Sequence, residues 1–125
     1  MAQRKKNSTN SLNSNILTKC PMSFTIEMIG GRWKTIILYH LRNEPLRFGQ
    51  LKKILTLTTE KMLAQQLKQL ELDGLVVRNA KDIIPPHVEY YLSESGKTLV
   101  PILTSMAEWG KFILNNKGMS DTQAG

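Results

Sequence analysis

The hydrophobic repeat of this chain changes from the helical to the extended period after residue 74, and that change restricts the fold more than any other feature. Three leucines recur at helical spacing between residues 63 and 70, and the run ends at Asp73-Gly74, where glycine can adopt the left-handed conformation common at helix ends. Two runs rich in β-branched and aromatic residues follow, at 75–78 and 87–92. We therefore expect a leucine-lined helix followed directly by a two-stranded hairpin.

Three shorter helices are predicted before this one, because apolar residues recur at helical spacing in 21–29, 32–41 and 47–55. Thr58 or Thr59 can cap the fourth helix. The segment 79–86 should project as a loop, since its two prolines cannot join a strand ladder. A last helix follows Ser93, with a kink expected at Pro101. This order predicts an α+β, mainly α fold: a winged helix-turn-helix with N- and C-terminal dimerisation helices.

A chain of 125 residues holds one domain, and we expect its ordered part at 19–116. The segment 1–18 is predicted to be a disordered basic tail, and 117–125 a flexible C-terminal tail. The single cysteine excludes an internal disulfide and no run is long enough for a membrane span, so we expect a cytoplasmic protein. Within the domain we place the helix-turn-helix core at about 31–73, the wing at about 75–92 and the dimerisation helix at about 93–116.

Most of the net charge of +7 lies in the middle of the chain, where residues 28–81 carry ten basic and four acidic side chains. Such a surface suits a polyanion. The side of the fourth helix opposite Leu63 carries lysine and glutamine, which bond guanine, adenine and phosphate. We predict that this helix, over 58–73, binds in the major groove of double-stranded DNA. Its predicted contacts are Thr58, Thr59, Lys61, Gln65, Lys68 and Gln69.

Cationic side chains outside that helix are further candidates for DNA contact. Arg47 opens the third helix, while Arg78, Lys81 and His87 belong to the predicted wing. For Arg47, ordinary solvation is an equally good interpretation. The sequence shows no metal-ligand cluster, phosphate loop, dinucleotide fingerprint or nucleophile elbow, so neither a metal, a cofactor nor catalysis is predicted.

Five segments between Lys19 and Phe112 form a specific combination: CPMSFTIEMIGGRWKTIILYHL, RFGQLKKIL, EKMLAQQLKQLELDGLVVR, PPHVEYYLSESGKTLVPIL and MAEWG. Together they resemble the HxlR family of bacterial and archaeal winged-helix transcriptional regulators. The resemblance implies a homodimer that is held by the terminal helices and binds a pseudo-palindromic operator, usually as a repressor. The chain departs from the family pattern in the turn at 57–59, at Lys81 and at His87. A histidine at position 87 would make the wing contacts sensitive to pH.

The last helix is apolar on more than one side, which favours a protein interface. A twofold dimer would place its recognition helices about one DNA turn apart, on the order of 34 Å. The alternative is an ordinary core helix. The residues predicted at the dimer interface are Leu99, Ile102, Leu103, Met106, Trp109, Phe112 and Ile113.

Cys20 precedes Pro21 and is predicted at the N-cap of the first helix, where the helix dipole and Lys19 would favour the thiolate. By the resemblance, family members that sense oxidants or quinones use a cysteine here, which makes Cys20 a candidate redox sensor. The alternative is a buried thiol that packs as a small hydrophobe. Without a second cysteine, a response requires alkylation, a mixed disulfide or a bridge between two subunits.

Functions from other classes remain open. A winged helix can be a protein-interaction module without specific DNA binding, which would favour an acidic or apolar outer face rather than Lys61 and Lys68. A thiol-dependent enzyme built on Cys20 would need a base and an oxyanion site, and the sequence shows neither. A small-molecule effector that binds between the terminal helices is also left open.

Overall fold

The structure is a computed structural model that describes residues 20–118 of the chain. The predicted tail at 1–18, Lys19 and residues 119–125 lie outside the described residues. The elements in chain order are α1 (Pro21–Ile29), α2 (Lys34–His40), β1 (Leu46–Arg47), α3 (Phe48–Ile54), α4 (Glu60–Leu72), β2 (Val76–Lys81), β3 (His87–Leu92), α5 (Glu94–Lys97) and α6 (Val100–Asn116). Two helices joined by a short turn and followed by a β-hairpin confirm the predicted winged helix-turn-helix, which is mainly helical.

One inward face from each major element builds the core. The leucines predicted to point inward from α4 are fully buried, as are those of α3 and two residues of α2. Removing this much apolar surface from water is the main stabilisation available to a domain of this size. The side chains with the deepest burial are Ile37, Leu38, Leu51, Leu55, Leu63, Leu67 and Leu70.

The fourth helix, α4, is fixed at both ends by its local sequence. Thr59 is its N-cap, and the Thr59 Oγ1 accepts a hydrogen bond of 3.0 Å from the backbone N–H of Met62. At the other end Gly74 has a φ of +80°, a conformation that side chains other than glycine rarely adopt. The N–H of Leu75 then reaches the carbonyl of Leu70 at 3.0 Å. Both predicted ends are confirmed, and they set the direction in which the wing leaves the helix.

A short strand, β1, comes before α3, and the sequence did not predict it. It pairs antiparallel with β3, with Leu46 opposite Tyr90 and Arg47 opposite Glu89, so that the sheet order is β1-β3-β2. A strand of two residues is too short to show an alternating pattern, so it could not be predicted from hydrophobic periodicity. Its consequence is structural, because it attaches the wing to the start of α3.

The wing consists of β2, β3 and the connection between them, and its loop is shorter than predicted. The ladder continues from Val76 opposite Leu92 to Lys81 opposite His87, so residues 79–81 are strand and only 82–86 form the loop. The prediction of a loop over 79–86 is therefore wrong at its start. The two prolines exclude only their own positions from the ladder, and the residues before them pair normally.

The C-terminal helix is interrupted rather than kinked. Ser93 caps the short helix α5 by accepting a hydrogen bond of 3.0 Å from the N–H of Gly96, and Pro101 lies in the first turn of a new helix, α6. On α6, Leu103 is only 3% exposed because it packs into the core of the domain, which corrects its assignment to a dimer interface. Among the described helices, none is both long and apolar enough to cross a membrane.

Candidate nucleic-acid interface

The outward side of α4 carries three polar side chains in a row. Lys61, Gln65 and Lys68 are exposed, whereas the leucines on the opposite side are buried, as the helical period predicted. From Lys61 to Lys68 the helix rises by about 10 Å, which matches roughly three base-pair steps. We call these three residues the α4 ridge. Their side chains offer amide and ammonium groups to solvent along one line of a well-anchored helix.

Two residues of the predicted contact set are used inside the protein instead. Thr58 is 5% exposed, because the turn that precedes α4 folds its side chain inward, and this corrects its assignment as a DNA contact. Gln69 is half-buried and its Nε2 donates to the Asp73 Oδ1 at 3.2 Å, so the amide supports the end of the helix. Thr59 stays exposed, but its hydroxyl is occupied as the N-cap.

Arg78 lies on the same side of the wing as α4. It lines a cleft of about 190 Å³ together with Ala64, Lys68, Glu71 and Tyr90. Two cations face one carboxylate in this cleft, at the point where the α4 ridge meets the hairpin. An exposed cleft with an excess of positive charge is suited to a phosphate oxygen of a nucleic-acid backbone.

The other predicted wing cations lie on the opposite face of the sheet, around Glu89. The Glu89 carboxylate is 3.0 Å from the His87 Nε2 and 3.7 Å from the Lys81 Nζ, and Arg47 is its neighbour across the β1–β3 pair. The His87 Nε2 is buried, and the Glu89 carboxylate is the group that it approaches. His87 first and Lys81 second lower the pKa of Glu89.

The alternation of side chains along a strand explains why these cations separate. Arg78 and Lys81 are an odd number of residues apart in β2, and successive side chains point to opposite faces. The structure thus brings Arg78 to the α4 ridge and groups Arg47, Lys81 and His87 elsewhere. Across residues 20–118, no cluster of three or more His, Cys, Asp or Glu side chains could hold a metal ion.

Three exposed apolar side chains at and before α4 were not among the DNA contacts predicted from the sequence. Ala64 is exposed beside Lys68, Met62 is 37% exposed, and Leu57 in the preceding turn is 72% exposed. Apolar groups of this kind contact the methyl group of thymine in the major groove. The helix projection could have identified Met62 and Ala64, because they lie between the ridge and the buried stripe, whereas Leu57 precedes the helix.

Cys20 is exposed at the N-cap of α1, which overturns the alternative of a buried thiol. Contact with the Ser23 hydroxyl, and then with the Ser23 backbone N–H, lowers the pKa of the thiol. As the N-cap, the Cys20 side chain makes no capping hydrogen bond to the helix backbone. A lowered pKa of Cys20 agrees in direction with the prediction made from its place at the helix N-terminus. Lys19, the other group in that prediction, lies outside the described residues.

Apolar side chains are also exposed on the two terminal helices. On α6 four of them occur along one side, and we call this set the α6 apolar face: Ile102, Met106, Trp109 and Phe112. Each is more than half exposed, at 51%, 52%, 67% and 59% in that order. On α1, Met22, Phe24 and Ile26 are exposed in the same way. Exposed apolar groups at this density mark surfaces that bind other molecules.

Comparison with known proteins places these features in a family. The model of the HxlR-like helix-turn-helix family matches residues 28–118, which include α2, the helix-turn-helix, the wing and the whole of α6. The chain belongs to the HxlR-like helix-turn-helix family. The match covers the α4 ridge, the cleft at Arg78 and the α6 apolar face, whereas Cys20 lies upstream of it.

Curated relatives of this HxlR-like protein are described as transcriptional regulators. The HTH-type transcriptional regulator YybR of Bacillus subtilis is 46% identical over 92 residues, which is 74% of each chain. An HTH-type transcriptional regulator of the archaeon Methanothermobacter thermautotrophicus is 36% identical over 105 residues, covering 84% of this chain and 80% of the relative.

Solved structures with the same fold include two whose redox state is stated. The redox regulator HypR in its oxidised form is 46% identical, with a TM-score of 0.72 over 74% of this chain and 95% of that chain. YodB from B. subtilis in its reduced form is 30% identical, with a TM-score of 0.65 over 74% of this chain and 90% of that chain. YodB has also been solved after treatment with diamide.

Proposed function

We propose that this HxlR-like protein is a homodimeric, sequence-specific repressor of transcription that works in the cytoplasm and binds duplex DNA through α4. The observation that carries the proposal is the α4 ridge, in which Lys61, Gln65 and Lys68 are exposed on a helix whose other side is buried in the core. A helix anchored in this way fits the major groove, where glutamine bonds adenine and lysine bonds guanine or phosphate.

Contacts to the DNA backbone come from both ends of α4 in this proposal. At its start, exposed backbone N–H groups follow Thr59 and carry the positive end of the helix dipole, which favours a phosphate. Farther along, Lys68 and Arg78 share the cleft beside the wing and neutralise a second phosphate. These contacts fix the register in which Lys61 and Gln65 meet the base edges.

A second copy of the chain covers the α6 apolar face. Four large apolar side chains there are more than half exposed to water, and burying the exposed part of each would stabilise a dimer by about 1–2 kcal/mol before association costs. Met22, Phe24 and Ile26 on α1 extend the exposed apolar surface to the other terminal helix. A twofold axis through such an interface makes the operator a pseudo-palindrome with half-sites about one turn, or roughly 34 Å, apart.

Cys20 gives the repressor a response to oxidants and electrophiles. The thiol is exposed and its pKa is lowered, so more of it is thiolate at neutral pH than in an ordinary cysteine. The similar proteins HypR and YodB, a redox regulator and a transcriptional regulator solved after diamide treatment, support this role. Among the described residues no second cysteine is present, so the oxidised product is a bridge to the partner's thiol or a mixed disulfide.

The experiment starts from random-sequence duplex DNA, from which full-length protein selects its binding sites. Titration of the selected duplex and of a shuffled duplex at several salt concentrations should show a preference of roughly 10³-fold or more for the selected site, with affinity that falls steeply with salt. An absence of selection, together with weak binding to any duplex, would instead support a protein-interaction module.

A further inference from the structure

A cavity of about 410 Å³ lies between α2, the end of α3 and α6, on the side of the helix-turn-helix away from the α4 ridge. This size falls in the range of pockets that hold small organic ligands, roughly 300–1,000 Å³. Three segments that are far apart in the sequence contribute its walls. The lining residues are Thr35, Ile36, Tyr39, His40, Ile54, Leu103, Met106 and Ala107.

The chemistry of the lining restricts the ligand. Most of the wall is aliphatic, and hydrogen-bonding capacity comes from Thr35, Tyr39 and His40 on consecutive turns of α2. The lining contains no Asp, Glu, Lys or Arg side chain among the residues that the structure describes. Burial, and then the charge of Arg42, lower the pKa of His40, so its ring is neutral near neutral pH. A charged ligand would lose its hydration there without finding a counter-ion.

The polar side of the cavity is held in place before any ligand binds. The Arg42 guanidinium lies 3.8 Å from the centre of the Tyr39 ring, and its Nη1 donates to the Tyr39 carbonyl at 2.8 Å. Tyr39 and His40 meet edge to face, with ring centres 5.5 Å apart. An arranged pair of rings costs little entropy on binding, which distinguishes this cavity from a chance surface groove.

We infer that this cavity binds a small, neutral, largely aromatic molecule that carries a hydroxyl group, with His40 and Thr35 as its hydrogen-bonding partners. Ile54 is the last residue of α3 and precedes the turn into α4, while Met106 belongs to the α6 apolar face. A ligand between them contacts the helix-turn-helix and α6 at the same time, and we expect its binding to change the affinity for DNA. That regulatory consequence, unlike the binding itself, rests on the proposed DNA-binding function.

The test uses β-naphthol as the probe and the isoleucine methyl NMR signals of the full-length wild-type protein. We expect the methyl signals of Ile36 and Ile54, which line the cavity, to shift in a saturable way. The signals of Ile84 at the tip of the wing and Ile102 on the outer side of α6 should stay in place. Saturable shifts at Ile102 without shifts at Ile36 and Ile54, or no saturable shift at all, would overturn the assignment.

Matched variants separate the cavity from the outer surface of α6. Ala107→Phe fills the cavity and should weaken β-naphthol binding by about 5- to 100-fold, the range expected for an overfilled apolar site. Thr104→Phe adds the same ring to an exposed position of α6 outside the cavity lining and should leave binding unchanged. Should Ala107→Phe fail to fold, Ile54→Trp at the cavity rim serves the same purpose, because Ile54 is 36% exposed. Equal loss in Ala107→Phe and Thr104→Phe would contradict the site.

Charge discrimination and DNA binding complete the test. The anion β-naphthoate should bind at least about tenfold more weakly than β-naphthol, since the lining offers it no cation. Equal affinity would refute the inferred ligand class. Protein that binds β-naphthol at Ile36 and Ile54 but selects no DNA would retain the cavity as a site while the proposed repressor function fails.

Discussion

Replacing Lys68 by glutamine tests the predicted backbone contact beside the wing. Lys68 is exposed and shares its cleft with Arg78, so the change removes one of two cations that would neutralise a phosphate and leaves the core intact. A dimer carries the substitution twice. If each copy releases the counterions of one phosphate, the slope of log affinity against log salt should fall in magnitude by about 1.8.

That slope has a measurable consequence. Between roughly 50 and 200 mM salt, the wild-type affinity should fall by about 12-fold more than the affinity of Lys68→Gln. Fluorescence anisotropy with the selected duplex measures both slopes. Lys111→Gln is the matched control, because Lys111 lies on α6, exposed and 4.0 Å from Glu108. An unchanged slope in Lys68→Gln, or an equal loss in both variants, would refute the assignment of Lys68 to a phosphate.

Three further substitutions test other parts of the account. Glu89→Gln removes the carboxylate between the wing cations. If this face of the wing meets DNA, the affinity should rise and the slope of log affinity against log salt should steepen by about 0.9 per protomer. Unchanged binding would place this face away from the duplex. Trp109→Glu puts a charge into the α6 apolar face. Because a dimer carries the substitution twice, dimerisation measured by sedimentation should weaken by about 3 kcal/mol or more, whereas Lys111→Gln should leave it unchanged. A stable Trp109→Glu dimer would locate the interface elsewhere. Ser23→Ala removes the hydroxyl that most lowers the pKa of Cys20. In a plot of the rate of reaction with iodoacetamide against pH, the midpoint should therefore move to higher pH, and the rate at neutral pH should fall. An identical pH profile would show that Ser23 does not act on the thiol.

Local sequence rules predicted the parts of the fold that local chemistry controls. The repeat of Leu63, Leu67 and Leu70 identified the buried side of α4, and Thr59 and Gly74 identified its ends. These features need no knowledge of distant residues, because capping and helix termination involve neighbours within one or two turns. The exposed α4 ridge followed from the same repeat, as the side that the leucines leave to solvent.

Features that depend on pairing between distant segments were not predictable in the same way. The strand β1 exists because Leu46 and Arg47 meet β3, which lies more than forty residues later in the sequence. Whether Gln69 is free for DNA depended on the position of Asp73 after the helix ends, and the burial of Thr58 depended on how the turn packs. The cavity beside His40 is built from three separate segments, so no single stretch of sequence could indicate it.

The alternation of side chains along β2 could be counted in the sequence. Which face of the wing each side chain occupies could be known only from the register of β2 against β3. Counting from Arg78 to Lys81 places the two cations on opposite faces, yet only the pairing with β3 shows that one face adjoins α4 and the other surrounds Glu89. The single predicted group of wing contacts therefore divides in two. The face with Arg78 is the one that continues the α4 ridge.

Protection of guanine N7 from dimethyl sulfate tests the central claim most directly, because this atom lies in the major groove. With full-length protein on its selected duplex, we predict two clusters of protected guanines about 10 base pairs apart, both of which are lost in Gln65→Ala together with Lys61→Ala. Guanines that stay reactive throughout a saturated complex, or clusters that persist unchanged in the double variant, would contradict the insertion of α4 into the major groove.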